Sequence, residues 1–182
     1  MYQLKSLNGM KKIIIANWKM NPDSGAKALA LARATEEEIA SAKKADVVIA
    51  PPYQFLREVG ALLRKASLGA QDVWWADGGA YTGEVSVRQI RDCGAKYVII
   101  GHSERRMHAR ETDVTIRQKL SAALAHGLKA VLCVGERERQ GGEIPPIAGV
   151  QVQAALAGLK KTLLKNLVIA YEPVWAISTS YG

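Results

Sequence analysis

Apolar, partly β-branched runs recur along the chain at Ile13 to Ala16, Val47 to Ala50, Leu68 to Ala70, Tyr97 to Ile100, Ala130 to Val134 and Leu167 to Ala170. None alternates polar with apolar residues, as a strand with one wet face would. Unbroken apolar runs of this length mark parallel strands covered by helices. The intervening stretches carry helical periodicity. Ser24 to Lys44 reads as a long alanine-rich helix after the Asn21-Pro22-Asp23 turn, and Tyr53 to Lys65 as a second one opened by Pro51-Pro52. Ser86 and Gln89 have capping-box spacing ahead of a short helix that ends near Gly94. Thr112 can cap a helix that carries Val114, Ile116, Leu120, Ala123 and Leu124 and closes at Gly127. After Pro145-Pro146, Ile147 to Leu164 reads as a further helix with Val150, Val152, Leu156, Leu159 and Leu163 on or near its buried side.

Strict β-then-α alternation leaves two architectures, an open doubly wound sheet and a closed eight-stranded barrel. No strand ends in a Gly-x-Gly-x-x-Gly turn, which removes the main support for a dinucleotide-binding sheet. Polar, chemically capable residues follow the first, fourth and sixth runs: Asn17 and Lys19, His102 to Arg106, and Glu172. Barrels gather strand ends at one central site, so the expected fold is α/β, an incomplete TIM (β/α) barrel of six parallel strands with helices outside and strands seven and eight missing. Residues 1–9 are expected to be an N-terminal extension and residues 10–182 the domain.

Composition narrows the function classes. With 182 residues, 48% of them hydrophobic, the chain can bury one sizeable core. No apolar run approaches the length of a membrane span and no secretory signal opens the chain, so no membrane partner and a cytoplasmic location are expected. Cys93 and Cys133, with His102, His108 and His126 scattered, fit no metal spacing, so no metal site is expected and the cysteines read as reduced core or helix-end residues. The net charge of +8 is dispersed over separate elements and interleaved with Glu, without an aromatic-studded basic stripe. That distribution argues against nucleic acid and is compatible with a small anionic substrate.

Asn17-Trp18-Lys19-Met20-Asn21, Gly101-His102-Ser103-Glu104-Arg105-Arg106, Cys133-Val134-Gly135-Glu136 and Tyr171-Glu172-Pro173-Val174-Trp175-Ala176, with Gly69-Ala70-Gln71-Asp72 and Tyr81-Thr82-Gly83-Glu84, resemble the triosephosphate isomerase family. The resemblance runs from Lys12 to Ile177 in the family's order. It implies a cofactor-free proton shift between dihydroxyacetone phosphate and glyceraldehyde 3-phosphate through an enediolate. Under it, Glu172 is the base that removes the carbon-bound proton and His102 the neutral electrophile at the carbonyl oxygen. Lys19 supplies positive charge near the oxyanion and the phosphate, Asn17 a neutral donor, and Glu104 the carboxylate that organises the cluster. Ser178 is assigned to substrate binding. Arg105, Arg106 and Glu136 read as salt-bridging groups at strand ends. The loop with Tyr81, Thr82 and Glu84 would reach a neighbouring subunit, implying a homo-oligomer.

The sequence also departs from the family. The phosphate site of such barrels is built after strands seven and eight, for which there is no counterpart here, and Ser178-Thr179-Ser180 stands where the family has Gly-Thr-Gly. Losing two or three hydrogen bonds to a phosphate, at about 1.5 to 3 kcal/mol each, lowers kcat/KM by roughly 10² to 10⁶. Weak or absent turnover by the lone chain is therefore expected. The alternatives are a non-catalytic oligomeric scaffold, one piece of a split enzyme, and an anion or nucleic-acid binder that exploits the charge.

Overall fold

The computed structural model describes residues 12–139, 142–143 and 145–177. Six strands form one parallel sheet in sequence order: β1 Lys12–Asn17, β2 Ala45–Ala50, β3 Ser67–Ala70, β4 Tyr97–Ile100, β5 Lys129–Val134 and β6 Leu167–Tyr171. They match the six apolar runs. The helices are α1 Gly25–Ile39, α2 Leu56–Leu62, α3 Val87–Asp92, α4 Ser103–His108, α5 Asp113–Ala125 and α6 Ile147–Leu156.

Both sheet faces are apolar, which is why the strands do not alternate in sequence. Ile49, Val98, Ile100, Ala130, Leu132 and Val134 belong to the large core shared with helix residues such as Ala28, Val59, Ile90, Leu120 and Ala155. The opposite face holds Val48, Tyr97 and Val131 in one layer and Ala50, Ile99 and Cys133 in the next. Ile15 of β1 and Ala170 of β6 both pack on each of these layers, although they belong to opposite ends of the sheet. The sheet is therefore curled into an incomplete TIM barrel. Among the described residues β1 and β6 each have one strand neighbour, and Ile14 and Ile169 on these margins are 56% and 49% exposed.

Local signals decide several helix starts. Ser86 and Gln89 form the expected capping box, and Thr112 accepts the Thr115 N–H at the head of α5. The helix ends differ from expectation. The segment expected to be helical from Ser24 to Lys44 is helical from Gly25 to Ile39, because the chain turns at Ala40 to feed β2. Instead of one helix from Tyr53 to Lys65, a 3₁₀ turn over Tyr53–Phe55 leads into α2, which stops at Leu62. The N–H groups of Arg64, Lys65 and Ala66 donate instead to the Glu36 carboxylate, a partner remote in sequence. Helix α6 ends at Leu156 rather than Leu164, since Gly158 takes φ +77 and a separate 3₁₀ segment, Lys161–Asn166, leads into β6. Val150 is exposed, and α6 buries Ala148, Gln151 and Ala155. Cys133 is a buried, free strand residue, and Cys93 is free at the end of α3.

Candidate active site

The ends of β1, β4 and β6 deliver their polar residues to one place. Lys19, two residues beyond β1, has φ +55, a left-handed conformation that side chains other than glycine adopt at a cost. Hydrogen bonds to its main chain hold it there. Asn17 Oδ1 accepts the Lys19 N–H at 3.0 Å, and Gln71, following β3, donates to the Lys19 carbonyl at 2.8 Å and to that of Ala50 at 2.9 Å. The Lys19 ammonium then reaches Glu104 Oε1 at 2.7 Å.

His102 precedes α4 as its N-cap, and its Nδ1 accepts the Glu104 N–H at 3.2 Å. An accepting Nδ1 carries no proton, so the proton of the neutral ring sits on Nε2. That nitrogen lies 2.9 Å from Glu172 Oε1. The other carboxylate oxygen, Oε2, accepts the Ser103 N–H at 3.2 Å. Burial pushes the Glu172 carboxyl up, but the hydrogen bond from His102, with that from the Ser103 N–H, outweighs it and holds the group below the usual carboxylate range. Asn17, Lys19, Glu104, His102 and Glu172 thus form one continuous polar chain, as the strand-end pattern predicts. Ser178 lies outside the described residues, as does the 1–9 segment.

Two spaces flank this chain. A cavity of about 440 Å³ is bordered by Asn17, Lys19, Gln71, His102 and Glu104. A smaller one of about 60 Å³ lies on the Glu172 side, lined by Ser103, Gly135, Gln151 and Glu172. The Ser103 hydroxyl is buried with no hydrogen-bond partner among the described residues.

Sequence reasoning gave no role to Ser103, Gln71 or Gln151. It also overlooked a buried ionic cluster beneath the site. Lys119, 0% exposed, bonds Asp72 at 2.6 Å and pairs with Glu111, and Arg105 joins the same two carboxylates. Burial, outweighing the attraction of Lys119, pushes Asp72 up to about 6. The helical pattern placed Lys119 between apolar positions, but of the carboxylates that meet it only Glu111, just ahead of the α5 cap, is near in sequence, and Asp72 comes from the segment after β3. Arg105 does salt-bridge as expected. Arg106 pairs with Asp113 at 2.8 Å and donates to the Gly101 carbonyl at 2.9 Å.

Glu136 collects Arg139, the Tyr171 hydroxyl at 2.8 Å and the Trp175 indole N–H at 2.9 Å. Although burial pushes it up, hydrogen bonds from Trp175, its own backbone, Tyr171 and Arg139 bring it down to about 2. The expected oligomer loop folds on itself: Trp74 stacks on Trp75 with ring centres 3.6 Å apart, and Tyr81 lies 5.4 Å from Trp74. Tyr81, Thr82 and Glu84 are exposed. Among the described residues there is no cluster of metal-ligating side chains and no helix long and apolar enough to cross a membrane.

The family model described as triosephosphate isomerase matches residues 12–181. A triosephosphate isomerase from Thermoanaerobacter pseudethanolicus is 42% identical over 177 residues, covering 93% of this chain and 69% of the relative. One from Chlorobium phaeobacteroides is 45% identical over 174 residues, covering 93% and 68%, and one from Moorella thermoacetica 44% over 173 residues, covering 93% and 69%.

Proposed function

The chain belongs to the triosephosphate isomerase family, and from that premise we propose that its site interconverts dihydroxyacetone phosphate and glyceraldehyde 3-phosphate by proton transfer through an enediolate. The observation that carries this reading is the unbroken contact chain from Lys19 through Glu104 and His102 to Glu172, which joins a cation, a ring N–H donor and a carboxylate. Glu172 acts as the base. Its carboxylate is held by His102 and Ser103, so substrate entering between the groups takes over the His102 donor and frees the carboxylate to turn toward carbon. His102 then offers its Nε2 proton to the substrate oxygen as negative charge develops there, and Lys19 with Asn17 stabilises the same charge. Ser178 is kept as a substrate contact.

Turnover by the 182-residue polypeptide alone is low on this reading. The six strands supply base and electrophile, whereas the phosphate grip of such barrels comes from the loops after strands seven and eight. The loop bearing Tyr81, Thr82 and Glu84 contacts a second subunit, making the working form a homo-oligomer. A coupled assay of both reaction directions, on the purified chain and on Glu172→Gln, tests the proposal. Measurable turnover that vanishes with the carboxylate supports it, and turnover indifferent to the substitution overturns it.

A further inference from the structure

Gly135 occupies a point where the chain cannot carry a side chain. A Cβ there would lie 2.2 Å from the Glu172 carbonyl oxygen and 2.6 Å from its carbonyl carbon. The two segments continue side by side past the ends of β5 and β6. The Glu172 N–H donates to the Val134 carbonyl at 2.7 Å, and the Val174 N–H donates to the Glu136 carbonyl at 2.9 Å. The main chain of Glu172 therefore rests directly on Gly135.

Gly135 is in turn held from the helix layer. Gln151, midway along α6 and only 9% exposed, accepts the Gly135 N–H through Oε1 at 2.8 Å and donates through Nε2 to the Gly135 carbonyl at 3.3 Å. A buried amide is costly unless paired, and here it is paired at both ends with a single residue. These two backbone groups belong to successive peptide units. Holding both restrains the φ and ψ of a glycine that otherwise has wide freedom.

We propose that Gln151 is a positioning residue: by clamping Gly135 from α6, it sets where the Glu172 main chain leaves β6 and where Glu136 anchors Trp175, and so keeps the Glu172 carboxylate within reach of His102. The inference rests on the reading of Glu172 as the base. Two observations point the same way. Gln151 and Glu172 line the same small cavity, and the residue after Gly135 is the one that receives the Trp175 indole.

The full-length chain, labelled with 5-fluorotryptophan and with ¹³C-glutamate, provides readouts that do not depend on turnover. Gln151→Met keeps the bulk and removes both hydrogen bonds. Val152→Ala, on the same helix and packed against the core, serves as the control for loss of stability alone. The Met variant is expected to shift the Trp175 fluorine resonance and to move the Glu172 carboxyl titration upward toward that of a free glutamate, and Val152→Ala to leave both where the wild type has them. If turnover is measurable, kcat should fall by up to about a hundredfold with KM nearly unchanged, as for a displaced catalytic group. If Gln151→Met does not fold, Gln151→Glu, which keeps the acceptor and loses the donor, is read on the Trp175 resonance. An unmoved Trp175 resonance and Glu172 midpoint in the folded variant overturn the proposal. Wild-type turnover that Glu172→Gln leaves unchanged would sink the isomerase reading, and these two signals would then decide the clamp by themselves.

Discussion

The Nε2 of His102 lies 2.9 Å from Oε1 of Glu172, so the ring that would polarise a carbonyl is bonded to the carboxylate that would take the proton. Each holds the other until a third group separates them. On the proposed reading, a substrate oxygen that accepts the Nε2–H hydrogen bond would do this, so binding and release of the base would become one event.

Glu172→Gln should abolish whatever isomerase turnover the purified chain shows, because the amide keeps the shape and lacks basicity. On the proposed reading, the purified 182-residue polypeptide is expected to run at least about a thousandfold below a barrel that also carries the loops after strands seven and eight. Enzyme-coupled kinetics on both proteins check this. Full-strength wild-type turnover would refute the account of the phosphate site.

Acid should erase the stabilising role of Glu172. Its folded pKa is depressed, so its contribution is present above the unfolded carboxylate value and disappears as pH falls through the folded value. Urea unfolding of wild type and Glu172→Gln across a pH series should show a difference near neutrality that vanishes in acid. A difference that persists unchanged at the acid end contradicts it.

Removing the Lys119 ammonium should be among the costliest single changes in the protein. Lys119→Ala leaves Asp72 and Glu111 buried and repelling each other, at a cost of about 3 to 5 kcal/mol in denaturant titrations. Asp72 follows the opposite pH rule from Glu172. Its pKa is raised from 3.8 to about 6, so its contribution is full below the lower value and lost as pH climbs through the upper one. Asp72→Asn should therefore flatten the stability profile between those values, and an unchanged slope would show that another group titrates there.

Gly135→Ala should destabilise the fold by about 3 kcal/mol or more, since the methyl meets main-chain atoms that cannot rotate away. Gly142→Ala is the contrast, as a Cβ there meets nothing within 4 Å. Equal stability of the two variants would mean that the β6 margin shifts freely.

Self-association is expected at micromolar concentration, driven by the exposed Ile14 and Ile169 margins and the aromatic loop around Trp74 and Tyr81. Light scattering after gel filtration measures it. A clean monomer with a cooperative thermal transition would contradict it.

What could be read in advance divides by the range of the interaction. Strands with two apolar faces announce themselves in composition, and Ser86 with Gln89 forms a cap from residues three apart, so both were legible. The polar residues after β1, β4 and β6 were legible because each directly follows an apolar run. The early stop of α2 was not, because Glu36 takes its next N–H groups from another helix. Lys119 looked like an ordinary helix cation because its buried partner Asp72 comes to it from the segment after β3. Gln151 sat in an apolar helix with its partner, Gly135, on a different element.

The two margins of the sheet that have no further strand neighbour among the described residues also impose a directional constraint. All pairings are parallel, so β1 and β6 point the same way on either side of the opening. A β-hairpin, whose arms run in opposite directions, can continue the parallel ladder on one side only. Two strands that continue it on both sides must share one direction, which demands a crossover of a dozen or more residues between them. Chain polarity alone thus separates a segment that can extend the parallel ladder on both margins from one that can extend it on one.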